Sequence, residues 1–148
     1  MPIPDKIPIQ RVRDDHTHFV GMTSDGRQFF GYETYVFPNG VPSLDWKKHR
    51  REYVVLYLFD KKGNHLETLH WFAGMASETS ETLLRNKLRQ FVSELGKTEF
   101  KDISIKPFQT KIDGFVFGLV INPEEESVEL EPSTTISFQE PWEGEFCG

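Results

Sequence analysis

His16-Thr17-His18 sets two imidazoles one residue apart. On a strand such residues share a face, so both rings could reach one ion, and imidazole nitrogen is a common ligand of zinc. Asp14, His49 and His70 are further candidate ligands if folding brings them near. The competing reading is a pair of exposed polar side chains at a strand edge, since the helical two-histidine zinc motif is absent. That plainer reading is preferred, and no cofactor is expected.

A second constellation is Trp46-Lys47-Lys48-His49-Arg50-Arg51, which runs into Tyr53. Guanidinium and ammonium groups beside flat rings suit a phosphate, a carboxylate or the acidic surface of a partner. Trp46, Lys47, Lys48, Arg50 and Arg51, with Trp71 and Trp142, are therefore the candidate ligand or partner contacts. The simpler alternatives are a solvated strand entry paired with the abundant acids, and tryptophans that pack a core. The acidic counterpart, Glu124-Glu125-Glu126 with Glu129 and Glu131, reads as a solvated loop and strand edge.

Other catalytic signatures are missing. No Gly-x-Ser-x-Gly elbow occurs, and Gly114-x-x-x-Gly118 lacks the lysine that a phosphate loop would carry after it. Cys147, the single cysteine, lies near a chain end and away from the packed surroundings that tune a catalytic thiol. The chain leans toward a non-enzyme, with the question left open.

The elements that would position these residues follow from hydropathy. Ser24-Asp25-Gly26-Arg27 turns His18–Thr23 into a second strand over 28–37, whose two bulky faces suggest a central position. Tyr53–Phe59 is an unbroken apolar run, and Asp60-Lys61-Lys62-Gly63-Asn64 turns it into an alternating strand over 66–72. Ser77 is the expected N-cap of one helix, with Glu78 and Glu81 near its start and Gly96 at its close. Leu84, Leu88, Phe91, Val92 and Leu95 form its apolar stripe, expected to face a sheet containing both Tyr53–Phe59 and Phe115–Ile121. Residues 100–106 read as a strand stopped by Pro107, Asp113-Gly114 as a turn, and 127–131 and 135–140 as short strands that complete the sheet.

The 148 residues suit one domain, with an extended, surface-lying arm over 1–15, where prolines favour polyproline II, and a short tail over 141–148. The fold class is α+β: mainly antiparallel sheet built of hairpins, with one amphipathic helix packed on one face. A formal charge of −6, from 17 Lys and Arg against 23 Asp and Glu, argues against specific nucleic-acid binding and against anionic membranes. A lone cysteine, no apolar leader over Met1–Pro8 and no long apolar run give the expectation of a soluble protein of the cytoplasm.

Met1-Pro2-Ile3-Pro4-Asp5, His49-Arg50-Arg51-Glu52-Tyr53-Val54-Val55-Leu56, Phe59-Asp60, Trp71-Phe72-Ala73-Gly74, Phe117-Gly118-Leu119-Val120 and Pro141-Trp142-Glu143-Gly144 together resemble a family of small bacterial proteins. Many of its members carry the name formate hydrogenlyase regulatory protein. The resemblance spans nearly the whole chain and implies a regulatory role without catalytic residues. The functional expectation is a non-catalytic interaction or regulatory module. The alternatives are a small metal- or ligand-binding enzyme using His16 and His18, and an immunity-type protein that masks a basic partner by charge complementarity. Oligomeric state is open at this level.

Overall fold

The computed structural model describes residues 3–10, 18–38, 44–132 and 137–142, and of His18 the backbone alone. In chain order the strands are β1 (Ile7–Ile9), β2 (His18–Thr23), β3 (Gln28–Val36), β4 (Arg51–Phe59) and β5 (His65–Met75). The helix α1 (Glu81–Ser93) follows, and then β6 (Thr98–Phe100), β7 (Ile103–Ile105), β8 (Phe108–Ile112), β9 (Phe115–Asn122), β10 (Ser127–Glu131) and β11 (Ser137–Phe138). All pairings are antiparallel, in sheets ordered β5-β4-β3-β2-β6, β11-β10-β9-β8 and β1-β7. The expected α+β class holds.

β4 organises the molecule. From Glu52 to Phe59 every residue is buried, because alternate side chains serve two cores. Val54, Leu56 and Leu58 join Phe29 under Leu84, Leu88, Phe91 and Val92 of α1. Tyr53, Val55, Tyr57 and Phe59 point the other way, onto Phe117, Leu119, Val128 and Leu130 of the second sheet. A central strand covered on both faces reads as a continuous apolar run, and this one does.

Three expectations are corrected by this arrangement. First, Phe115–Asn122 is not in the sheet beneath α1; it lies on the opposite side of β4, and only Phe117, Gly118 and Leu119 within it are buried. Second, the helix is capped by Ser80, whose hydroxyl accepts from the Leu83 N–H at 3.2 Å. Ser77 lies in a 3-10 turn over Ala76–Glu78, and the Glu78 carboxylate accepts from the Met75 N–H at 2.9 Å. Third, the arm is extended at Ile7–Ile9 but does not stay on the surface: this strand pairs with β7, and Ile7 and Ile9 are 0% exposed. Proline at position 8 tolerates an edge strand, and its two isoleucine neighbours point together into the core.

The second sheet is closed tightly by two backbone devices. Asp113 and Gly114, at φ 54° and 85°, make the turn between β8 and β9, the double positive-φ geometry of a hairpin loop. Gly118, at φ 139°, lies so close to β8 that a Cβ would overlap the Phe108 carbonyl. A larger residue could not take this place.

Candidate functional site

Sequence order places Lys47, Lys48, Arg50 and Arg51 in one run; the fold divides them among three settings. Trp46–Lys48 forms a 3-10 turn just before β4, with His49 Nε2 3.0 Å from Asp45 Oδ2 beside it. Lys47 and Lys48 are exposed, and the Lys47 ammonium lies 5.7 Å from the centre of the Trp46 ring.

Arg50 turns inward. Its guanidinium is sandwiched between Trp46 and Tyr35, 4.5 and 4.6 Å from the ring centres, and Nη2 donates to Glu52 Oε1 at 2.6 Å. The Glu52 side chain is only 8% exposed, and burial pushes its carboxyl above the usual range while the Arg50 charge pulls against that. Phe37 abuts Trp46 and Tyr35 edge-on, so the tryptophan touches both Phe37 and Arg50.

Arg51 points to the other face of the strand. Its guanidinium stacks on Phe72 at 4.1 Å, donates from Nε to the Tyr53 hydroxyl at 2.7 Å, and donates from Nη2 to Asp113 Oδ2 at 3.1 Å. The Tyr53 hydroxyl donates to the same carboxylate oxygen at 2.9 Å. These donors hold the Asp113 carboxyl below its usual range, the Tyr53 hydrogen bond foremost, and burial holds the Tyr53 phenol up. Both arginines therefore have partners within the fold, Glu52 for Arg50 and Tyr53 with Asp113 for Arg51.

The three tryptophans are not brought together. Trp71 packs beside the helix-side core, with Lys87 Nζ 5.3 Å from its ring centre. Trp142 packs against the opposite core, while Trp46 stands at the entry to β4. The candidate metal ligands His16 and His18 lie outside the described residues, apart from the His18 backbone. Among the described residues no group of three or more His, Cys, Asp or Glu is placed to hold a metal ion, and no helix is long and apolar enough to cross a membrane.

Two further features carry polar chemistry that local sequence gave no means of finding. Tyr57 and Tyr32, both buried, approach hydroxyl to hydroxyl at 2.8 Å, and Tyr32 donates onward to the Glu131 carbonyl at 2.9 Å, which leaves Tyr57 as the donor between them. Burial drives both phenols well above their ordinary range. The partners are 25 and 99 residues apart, so no spacing rule reveals them. A shallow hollow of about 350 Å³ lies between the β2–β3 turn and the segment after α1, lined by Thr23, Ser24, Lys97, Thr98 and Glu99 among others.

No protein-family model matches this chain, and neither a curated protein nor a solved structure gives a significant match.

Proposed function

We propose that this chain is a non-catalytic interaction module that receives an acidic segment of a protein partner at the turn preceding β4. One observation carries the reading: Trp46 is flanked by the Phe37 ring and the Arg50 guanidinium, and it carries the exposed Lys47 and Lys48 beside it. Leu44, two residues earlier, is fully exposed at 107%, so an apolar contact lies next to the two cations. Rigid aromatic side chains give contact area at small entropic cost, and exposed lysines on an otherwise acidic chain give orientation and rate of encounter.

The regulatory role implied by the resemblance to proteins named formate hydrogenlyase regulatory protein fits a module of this kind, acting by occupancy rather than turnover, and so does placement in the cytoplasm. The test is amide hydrogen exchange with and without a glutamate-rich peptide. Protection confined to residues 44–51 is the expected result; protection elsewhere, or none at saturating peptide, would overturn the assignment.

A further inference from the structure

Among the described residues the five-stranded sheet has two unlike edges. One is β6, three residues long and so blunted by its brevity. The other is β5, eleven residues long, in which no residue is fully buried. Register shifts opposite Glu52/Tyr53 and Leu58/Phe59 leave Ala73 and Leu66 as extra residues, so Glu67–Phe72 is the regular stretch between two bulges. β5 contains no Lys, Arg, Asp or Pro, the usual guards of an exposed edge, and Glu67 is its only acid. Leu69, Trp71 and Ala73 form a half-buried apolar row at the margin of the helix-side core.

We propose that β5 pairs antiparallel with β5 of a second copy of this chain, about a two-fold axis that passes through His70. Three properties of the strand select a second copy and this register. With the axis at His70, Leu69 faces the second copy's Trp71 on the helix side, so the apolar row there continues into its own image, and Thr68 faces Phe72 on the other side. Glu67 falls opposite Ala73, so two chains of formal charge −6 meet along a stretch where no carboxylates oppose. Moving the axis to Leu69 would set the Glu67 carboxylate against a Trp71 ring, and a shift of one residue in the pairing would put the apolar rows on opposite faces.

The helices leave room for the contact. α1 packs chiefly on β3 and β4 and reaches β5 at its margin, where Lys87 lies over Trp71. Four strand spacings of about 4.8 Å would set the two helix axes about 19 Å apart, well beyond the 8–10 Å at which helices touch. The paired stretch is short, so the contact belongs with interfaces below about 1,200 Å² and dissociates in the micromolar range.

Sedimentation equilibrium of the whole chain over about 1 to 100 µM tests this. Wild type is expected to pass from the chain mass to twice that mass. Thr68→Lys with His70→Lys, and separately Thr68→Glu with His70→Glu, each gather four like charges around the axis and should weaken self-association at least about tenfold. An equimolar mixture of the two variants should regain the doubled mass as a one-to-one heterodimer. Amide exchange in wild type supplies a reading free of any folding defect: Thr68–Phe72 should slow as concentration rises. A wild type that stays at the chain mass, variants that dimerise as wild type does, or exchange at Thr68–Phe72 that is independent of concentration would each overturn the proposal.

Discussion

The Tyr53 hydroxyl donates to Asp113 Oδ2 at 2.9 Å, tying an interior strand of one sheet to the two-residue turn of the other. Arg51 joins both partners from the neighbouring position on β4. The carboxylate is half-exposed, so solvent screens this bridge, while the buried packing of Phe117 and Leu119 holds the same hairpin against β4.

Asp113→Asn is expected to cost about 0.5–1.5 kcal/mol at neutral pH, the range for charge-assisted hydrogen bonds discounted for solvent screening. The sign of its pH dependence follows from the lowered carboxyl. A folded-state pKa below the unfolded value of about 3.9 gives stability that is present above that value and lost as pH falls through the folded pKa. The difference between wild type and variant in denaturant melts should therefore hold from about pH 7 to 5 and vanish at lower pH. A difference that grows on acidification would contradict the bridge.

Arg50→Ala removes the partner of a nearly buried carboxylate and both stacking contacts. A loss of about 2–4 kcal/mol at pH 7 is expected. Without Arg50, the Glu52 carboxyl must rise further above its usual range, so protonation relieves the variant and the loss should shrink toward pH 5. Arg50→Ala combined with Glu52→Gln should recover part of the loss, as read by urea melts. Equal losses in the single and double variants would mean that stacking alone matters.

Leu88 and Ile7 are both 0% exposed, but they belong to opposite cores. Leu88→Ala and Ile7→Ala should each cost about 2–5 kcal/mol, and being far apart their effects should add within about 0.5 kcal/mol. An Ile7→Ala loss below that of an ordinary surface change would return the N-terminal arm to the surface.

The hairpins β2–β3 and β4–β5 and the stripe of α1 were legible because turn residues and apolar period are local. The side of β4 on which each apolar run packs was not, since Tyr53–Phe59 is buried on both faces and offers no period to read. The capping serine was missed because Ser77 and Ser80 both precede acidic residues, and only the backbone separates a 3-10 turn from the helix start. In the candidate site, Trp46 and the basic run were visible, but the internal partners of Arg50 and Arg51 were not. Asp113 lies 62 residues from Arg51, and Tyr35 reaches Arg50 only through the pairing of β3 with β4.

The interaction reading rests most directly on whether Lys47 and Lys48 act as a site rather than as bulk charge. Fluorescence anisotropy of a labelled glutamate-rich peptide, titrated with wild type, Lys47→Glu/Lys48→Glu and the control Lys61→Glu/Lys62→Glu, separates the two. Both variants carry the same charge change, and all four lysines are exposed. Affinity should fall at least about tenfold for Lys47→Glu/Lys48→Glu and less than about threefold for the control, with the control's loss diminishing as salt rises. Equal losses in the two variants, or no binding by wild type at millimolar peptide, would contradict the assignment.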